Sequence, residues 1–433
     1  MPRRNEPLDL FLLLTTFFVT LALGVPVAVC LGLSSLAYIL SAGLPVVIIP
    51  QRMYAGMDVF VLLCIPGFIL AGNLMNFGGI TERIIRLANA MVGWMRGGLA
   101  MANVADSMMF GGVSGTAVAD VAATGGVMIP GMKKSGYPGD FAAAITAASA
   151  TVGPMLPPSV PMIIVGALSG ISVGQLFLAG AVPGVLMGIG MAITCYILAV
   201  RRNYPRQQWQ GFGELIAAFL AAFWALAMTG LIIGGLLTGI ATPTETAIVA
   251  CLYAFVVGAF VYRELPIRAV PRIVVNSAIS SAGILALVGF ANVFGSILAS
   301  ERIPQMLVST VLAITDNPIL VILLINVLLL CVGMFMETIA ALIILFVPLL
   351  GLATSVGIEP LHFATFAVLN LMIGLTTPPV GVCLFVACNI AREPLAKVIS
   401  AVIPFLISNI VVLLLVSYYP PFATWLPTTL MGN

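Results

Sequence analysis

The chain has 433 residues, of which 61% are hydrophobic and 7% are charged. Soluble domains carry roughly 25% charged residues, so this composition excludes a soluble protein. Seventeen basic and fifteen acidic residues leave a net charge of +2, which excludes the basic surface that a nucleic-acid-binding protein needs. Apolar runs of about 20 residues recur along the chain, and each is long enough to cross a membrane as a helix. The sequence predicts an all-α polytopic membrane protein.

The first apolar run follows a positively charged start, as in a signal peptide. It continues past Pro26 into further membrane sequence without a small-residue cleavage site, so we expect a retained first span. Residues 8–42 fit either two short spans that turn at Pro26 or one long tilted helix. All seven cysteines lie in apolar segments without a CxxC pair, and we expect them to be small core residues.

The two halves of the chain repeat each other. GPMLPPSVP begins at Gly153, and GLTTPPVGV begins at Gly374, 221 positions later. Two proline features have the same separation: the pairs Pro157-Pro158 and Pro378-Pro379, and the single residues Pro183 and Pro404. The coincidence of three features at one separation predicts two structural repeats.

Charge placement predicts how these repeats are oriented. Thirteen basic residues fall on one predicted side of the membrane and four on the other, a strong positive-inside bias. The four are Arg3, Arg4, Arg52 and Arg302. To keep this bias, segments 98–131 and 319–352 must each enter and leave on one side, as re-entrant hairpins of opposite orientation. Inverted-topology transporters have this arrangement, and about ten crossings are expected.

The pattern divides the chain into alternating scaffold and transport parts. Residues 1–97 and 171–318 are predicted to form scaffold helices and an interfacial arm for each repeat, with a cytoplasmic linker in the second part. Residues 98–170 and 319–390 are predicted to form the transport domain, each part with a hairpin and a helix broken at Pro-Pro. Residues 391–433 are predicted to form a C-terminal scaffold helix.

The hairpin tips carry candidate ion ligands. The first tip, GGVSGTAVAD, offers the hydroxyls of Ser114 and Thr116, and the second, GMFMET, offers Glu337 and Thr338. Glycine permits unwound backbone, whose carbonyls can coordinate a hard cation. Opposite each tip a Pro-Pro pair breaks a helix and frees further carbonyls. Together these features predict two pseudo-symmetric ion sites, although helix packing or kinking would explain any one motif alone.

Four acidic residues lie in otherwise uncharged stretches: Asp106, Asp120, Glu245 and Glu337. A buried carboxylate is costly unless it is protonated, hydrogen-bonded or near a cation. Sodium binding, proton coupling and structural hydrogen bonding therefore remain open for these residues. Glu245 could instead cap the helix that follows Pro243, and for Asp106 we expect a structural role.

Several enzyme classes lack the residues they need. Lys134-Ser135 follows Lys133 where a phosphate-binding loop requires glycine, so ATP is not the direct energy source. Thr116 replaces the second glycine of a nucleophile elbow. The chain has a single histidine, His362, and no metal-spaced cluster, which excludes an intramembrane metalloprotease. We expect no enzymatic activity, no cofactor and no role for His362.

The chain resembles the large permease subunit of tripartite ATP-independent periplasmic (TRAP) transporters at GGVSGTAVAD, ASATVGPMLPPSVPMIIVG, ATPTETA, GMFMETIAALIILFVPLL and IGLTTPPVGVCLFVACNIA. The resemblance runs nearly end to end. It implies a bacterial inner-membrane protein of the elevator type that takes up organic acids with sodium as the coupling ion. It also implies two partners, a small four-helix permease subunit and a periplasmic substrate-binding protein.

The resemblance also implies site residues. One sodium site would consist of Ser114, Gly115, Gly153 and Pro154, and the other of Gly333, Glu337, Thr338, Gly374 and Thr377. The substrate path would be formed by Ser114, Thr116, Asp120, Ser159, Glu245 and Glu337, and Arg302 is our candidate for attracting an anion from outside. Many relatives carry another small hydroxyl residue in place of Thr116, and Asp can occur in place of Glu337. The longer reach of glutamate leaves its direct contact open.

Three alternatives to this function remain. One is a stand-alone proton- or sodium-coupled carrier or exchanger of organic anions, in which Asp120 or Glu337 titrates. The others are a channel and a purely structural subunit, neither of which needs paired hairpins and a coupling ion. A C4-dicarboxylate, a sugar acid and a keto acid all remain possible substrates.

Overall fold

The computed structural model describes residues 6–432, apart from the side chains of residues 6–8 and 112–114. All its regular elements are helices. In the first half they are α1 (Glu6–Ala22), α2 (Val27–Ser41), α3 (Ile48–Met57), α4 (Cys64–Phe77), α5 (Ile80–Val92), α6 (Gly98–Ser114), α7 (Ala117–Lys134), α8 (Gly139–Ala150), α9 (Val160–Ser169) and α10 (Val173–Arg201). In the second half they are α11 (Gly211–Leu237), α12 (Pro243–Val256), α13 (Val270–Ser300), α14 (Ile303–Ile314), α15 (Pro318–Gly333), α16 (Thr338–Ser355), α17 (Pro360–Gly374), α18 (Val382–Ala391), α19 (Leu395–Tyr418) and α20 (Pro421–Met431).

Seven helical segments of the described chain are long and apolar enough to cross a membrane, or eight if the bent pair Gly139–Met155 and Val160–Ser169 forms one span. The sequence predicted about ten crossings. The number is lower because several apolar stretches form helices of only 10–17 residues, among them α1, α2, α15, α17 and α18. Residues 8–42 form two helices, α1 and α2, which pack against each other.

Capping residues explain where several helices begin. Thr242 caps α12 and forms a reciprocal capping box with Glu245. Asn317 accepts a hydrogen bond from the backbone N–H of Ile319 at the start of α15, which also has proline at its first position. These local hydrogen bonds stabilise the starts of α12 and α15 independently of tertiary packing.

The helices pack into two groups. In the first, which we call the scaffold group, α2, α3 and α4 pack on α13, α12 packs on α4, α1 packs on α2, and α11 packs on α12. Close packing within this group depends on small residues: a Cβ added to Gly67 would lie 2.8 Å from the Cβ of Ala247. The scaffold group therefore consists of α1–α4 and α11–α13.

The second group, which we call the hairpin group, consists of α6–α10 and α15–α20. The two halves of the chain interlock here: α7 of the first half packs on α18 of the second, and α16 of the second packs on α9 of the first. Helix α10 packs on α6, α17 and α19, and α19 packs on α8 and α18. The expected division of the chain assigned α10, α19 and α20 to scaffold parts, whereas in the structure they pack on one another and on other helices of the hairpin group.

Two shorter helices, α5 and α14, connect the groups. Each follows a residue in the left-handed conformation, Gly79 before α5 and Arg302 before α14. Helix α5 packs on α6 and α11, and α14 packs on α16 and α13. Two ion pairs also link α5 to the scaffold group, Arg83 with Glu264 at 2.7 Å and Arg86 with Glu214 at 2.6 Å.

Candidate functional site

The first hairpin tip leaves a helix N-terminus open. Gly115 follows the last residue of α6, and its φ of +65° turns the chain; Thr116 precedes α7 and makes no side-chain capping hydrogen bond to it. The first backbone N–H groups of a helix have no partner within the helix, and the helix dipole makes this end positive. The residues that carry these groups, Ala117, Val118 and Ala119, all line one cavity.

The second hairpin tip is closed by a carboxylate. Oε2 of Glu337 accepts hydrogen bonds from the backbone N–H of Ile339 at 2.9 Å and of Ala340 at 3.3 Å, which caps α16. The neighbouring Thr338 is buried, with its hydroxyl 3.5 Å from the carbonyl oxygen of Leu371 in α17. The two tips therefore present opposite charge at equivalent places in the fold.

Each hairpin contacts the broken helix of its own half through a pair of glycines. A Cβ on Gly111 would lie 2.0 Å from the Cα of Gly153, and a Cβ on Gly374 would lie 2.6 Å from the Cα of Gly333. Gly333 lies 222 positions after Gly111, and Gly374 lies 221 after Gly153. No larger residue fits at these crossings without a backbone shift.

A backbone hydrogen bond then joins each tip to the Pro-Pro loop. The N–H of Val160 donates to the carbonyl of Gly115 at 3.4 Å, and the N–H of Gly381 donates to the carbonyl of Met334 at 3.3 Å. Both Pro-Pro bonds, 157–158 and 378–379, are cis. The same arrangement of tip and break thus occurs in both halves.

A cavity of about 550 Å³ lies where the scaffold and hairpin groups meet. Helices α4 and α13 form the scaffold wall, and both tips and both broken helices form the opposite wall. Its lining consists of Ile69, Gly72, Asn73, Asn76, Phe110, Thr116, Ala117, Val118, Ala119, Ala123, Pro154, Pro161, Ser280, Gly283, Ile284, Leu287, Glu337, Thr338, Ile339, Met372, Leu375 and Val382. Elements 221 residues apart in sequence therefore share one chamber.

The predicted substrate residues lie in three different places. Thr116 and Glu337 line the cavity. Asp120 and Ser159 are fully buried behind this lining, where Ser159 accepts a hydrogen bond from the N–H of Met162 and caps α9. The side chain of Ser114 lies outside the described residues, although its backbone ends α6.

Two further candidates lie away from the cavity. Glu245 is exposed in its capping box with Thr242, where Oε2 accepts from the backbone N–H of Thr242 at 2.8 Å. The capping alternative raised from the sequence describes this position. Arg302 is exposed before α14 and is not part of the cavity lining.

The predicted sodium ligands lie at and directly behind the tips. Pro154, Glu337 and Thr338 line the cavity. Apart from Ser114, whose side chain lies outside the described residues, the others form the crossings and loops of the two tips: Gly115, Gly153, Gly333, Gly374 and Thr377. The Thr377 hydroxyl donates to the carbonyl of Ile373 at 2.8 Å. Backbone carbonyls and hydroxyls of this kind suit a hard cation.

Sequence reasoning missed the polar residues of the scaffold wall. Asn73 donates to the hydroxyl of Ser277 at 2.8 Å, and Asn76 accepts from the hydroxyl of Thr81 at 2.7 Å. Both side chains lie in an apolar helix, and a polar residue within a membrane span is a functional signal that could have identified them. The described cavity lining contains no Lys, Arg or His.

His362 contacts a backbone carbonyl of a neighbouring helix. Its ring Nε2 lies 2.8 Å from the carbonyl oxygen of Val416, and the side chain is buried between α17 and α19. Nothing places it near the cavity.

Residues 14–422 match the family described as "Tripartite ATP-independent periplasmic transporter, DctM component". The chain belongs to this family. It is therefore a transporter permease subunit, not an enzyme, and a multi-pass protein of the inner membrane.

Three similar proteins define the likeness further. The sialic acid TRAP transporter large permease SiaM of Vibrio cholerae is 40% identical, over 94% of this chain and 96% of that protein. The C4-dicarboxylate TRAP transporter large permease DctM of the same organism is 37% identical, over 94% of this chain and 95% of that protein. The crystal structure of the YdaH transporter of Alcanivorax borkumensis aligns with a TM-score of 0.62 at 16% identity, over 88% of each chain, which is a likeness of fold.

Proposed function

We propose that this large permease imports an organic acid, driven by sodium, together with a small permease subunit and a periplasmic binding protein. The cavity carries this proposal. It is lined by both hairpin tips and both broken helices on one side and by the scaffold group on the other. Binding at a boundary between two helix groups would allow one group to move relative to the other with the substrate bound.

The substrate is an anion held by the open N-terminus of α7. Ala117, Val118 and Ala119, the first residues of α7, line a cavity whose described lining has no basic side chain, so the helix dipole at their N–H groups and bound sodium would supply the positive potential. The names of two relatives give sialic acid and C4-dicarboxylates as their substrates, and both carry carboxylate groups. A carboxylate is therefore the substrate group that we assign to the first tip.

Sodium would bind at the two tips. The first site would use backbone oxygens near Gly115 and Gly153, and the second would use the Thr338 and Thr377 hydroxyls with backbone oxygens near Gly374. Oε1 of Glu337, which takes no part in the cap, is available to the second site. Each site fixes a tip against its broken helix, so sodium binding would form the substrate site.

The moving body would be the hairpin group. Because α10 and α19 pack mainly on hairpins and broken helices, we assign them to the moving body and not to the scaffold. The scaffold group with α5 and α14 would stay in place and contact the small permease subunit. Transport is then a displacement of the hairpin group along the scaffold wall formed by α4 and α13.

The test is uptake into proteoliposomes that contain this chain and its small partner. Labelled sialic acid or a labelled C4-dicarboxylate would be supplied on a cognate binding protein, with and without an inward sodium gradient. We expect uptake to require both sodium and binding protein. Uptake without either would show a self-sufficient carrier, and uptake that follows only a pH gradient would show proton coupling.

Two threonines of α16 give a matched pair of variants. Thr338 lies at the proposed sodium site, whereas Thr354 is exposed near the other end of the same helix. Both hydroxyls are replaced by a methyl group in T338V and T354V. We expect T338V to raise the sodium concentration for half-maximal uptake at least tenfold and T354V to leave it unchanged. Equal behaviour of the two variants would overturn the second sodium site.

A further inference from the structure

Unpartnered acceptor oxygens are buried inside the first hairpin, between α6 and α7. Asp106 is fully buried, and neither of its carboxylate oxygens has a hydrogen-bond partner in the described part of the chain. Oδ2 of Asp120 and Oδ1 of Asn103 are buried and unpartnered in the same way. Four buried acceptors therefore lack a donor in a single hairpin, whereas buried polar atoms are normally hydrogen-bonded.

These three side chains are neighbours. Asn103 and Asp106 are three residues apart in α6, a spacing that places them on adjacent turns of one face. Asp120 lies on α7, which packs on α6, and its Oδ2 and the backbone carbonyl oxygen of Ser107, the residue after Asp106, lie 3.6 and 3.7 Å from the position that a Cβ on Gly153 would take. The unpartnered oxygens thus lie together at the interface of the two hairpin helices.

The nearby donors are already used. The amide nitrogen of Asn103 donates to the hydroxyl of Thr146 at 2.5 Å. The hydroxyl of Thr124 donates to the carbonyl and to Oδ1 of Asp120, at 3.0 and 3.2 Å. The Ser107 hydroxyl donates to another serine at 3.0 Å. Turning the Ser107 hydroxyl toward Asp120 would still leave both oxygens of Asp106 and Oδ1 of Asn103 without a donor.

Basic side chains on the surrounding helices have other partners or lie at the surface. Arg83 and Arg86 of α5 pair with Glu264 and Glu214, Lys133 at the end of α7 pairs with Glu393, and Arg201 at the end of α10 is exposed. None of them compensates the charge of two buried carboxylates. Two buried carboxyl groups of this kind are stable only if they are protonated or if a bound cation balances their charge.

We propose that Asn103, Asp106 and Asp120 bind a sodium ion inside the first hairpin, in addition to the sodium ions at the tips. A proton held by one carboxyl and donated to a neighbouring oxygen would satisfy two of the four acceptors, whereas a hard cation binds several oxygen ligands at once and also supplies positive charge. The choice of sodium rests on the proposed function, in which sodium is the coupling ion.

This site occurs only in the first half of the chain. The position equivalent to Asp106, 222 residues later, is Leu328, and the position equivalent to Asp120, 221 residues later, is Ala341. The second hairpin therefore lacks both carboxylates. The chain would bind three sodium ions, two at pseudo-symmetric tips and one that breaks the symmetry.

The test is a sodium titration of the melting temperature of the purified protein, with choline replacing sodium at constant ionic strength. Each ion that binds only the folded state adds stability as the logarithm of its concentration, so the slope at high sodium counts bound ions. Removing one of three sites reduces the slope to about two-thirds. We expect this for D106N, and an unchanged slope for D316N, which removes an exposed acid before α15. A wild-type slope in D106N overturns the proposal.

A second variant covers the case in which D106N does not fold. D106E keeps the charge and displaces it by one methylene, so we expect the wild-type slope to be reached only at several-fold higher sodium. Identical titrations of D106E and wild type overturn the proposal, as does a D106N slope that changes with pH and not with sodium. If wild-type uptake depends on sodium but the D106N slope is unchanged, only this additional site is wrong. If uptake does not depend on sodium but the D106N slope is reduced, the site exists and only the coupling role of sodium is wrong.

Discussion

The two hairpin tips share a backbone arrangement and differ in charge. Both tips follow a helix that crosses the broken helix through paired glycines, and both bond to a Pro-Pro loop. Yet the first residues of α7 line the cavity and have no side-chain cap, whereas α16 begins with a carboxylate that caps its N–H groups. A repeat can thus keep its backbone contacts while its two copies differ in charge, and in the proposed function only the first tip holds the substrate anion.

The largest expected effect tests the shared backbone. In G111A the new Cβ would lie 2.0 Å from the Cα of Gly153, whereas in G333A it would lie 3.1 Å from the Cα of Gly374. Overpacking typically lowers the free energy of unfolding by about 1–3 kcal/mol. Because the new Cβ in G111A meets backbone atoms, we expect a loss at or above the upper end of this range. We expect G111A to lose folded protein and uptake, and G333A to lose much less, as measured by melting temperature and proteoliposome uptake.

Gly126 provides the control for these variants. It lies in α7, and a Cβ there would meet no atom within 4 Å. G126A should therefore match or exceed the wild-type melting temperature, because alanine favours helix over glycine by about 1 kcal/mol. Equal losses in G111A and G126A would mean that the glycine crossing is unimportant.

The charge difference between the tips is tested by making the first resemble the second. In T116E a carboxylate would reach the open N-terminus of α7, where a negative charge is stabilising by about 0.3–1 kcal/mol. We expect the melting temperature to hold or rise while uptake of the anionic substrate falls at least tenfold. T116Q has the same size without the charge, so it should retain most uptake. Similar uptake in the two variants would contradict an anion site at this tip.

The complementary change opens the second tip. E337A removes the cap from the N–H groups of Ile339 and Ala340, and loss of an N-cap costs about 1 kcal/mol. E337D keeps a good capping residue, so we expect it to keep its melting temperature while E337A loses several degrees. Uptake measured against sodium concentration then separates the cap from ion binding. An E337A protein as stable as wild type would show that the Glu337 carboxylate does not stabilise the start of α16 and acts only in ligand binding.

The sequence predicted the hairpins well because their signals are local. The expected segments 98–131 and 319–352 correspond to helix pairs that end at residues 134 and 355, and the Pro-Pro breaks lie where the repeat placed them. The packing of α10 on the hairpins was not predictable, because membrane helices of equal hydropathy do not encode their neighbours in composition. Glu245 illustrates the limit at the site: an acid among threonines fits a cavity and a capping box equally well until its surroundings are known.

Helices α5 and α14, which connect the two groups, also differ, and this difference gives the smallest expected effect. Arg83 in α5 donates to Glu264 and lies 4.0 Å above the ring of Tyr262, whereas no ion pair of the described residues involves α14. The hydrogen bond from Arg83 lowers the pKa of Glu264 below its usual value. The pair therefore stabilises the folded protein fully above the ordinary pKa of glutamate, and this contribution is lost as pH falls through the lowered value.

R83Q tests this pair against R268Q, which removes an exposed arginine without an ion pair in the described chain. Exposed ion pairs contribute about 0–1 kcal/mol, so R83Q should lower the melting temperature slightly at neutral pH, and R268Q should not. Because Glu264 loses its charge at low pH in the wild type, the difference between R83Q and wild type should shrink below about pH 4. A difference that stays constant with pH would assign the effect to the contact with Tyr262 and not to the ion pair.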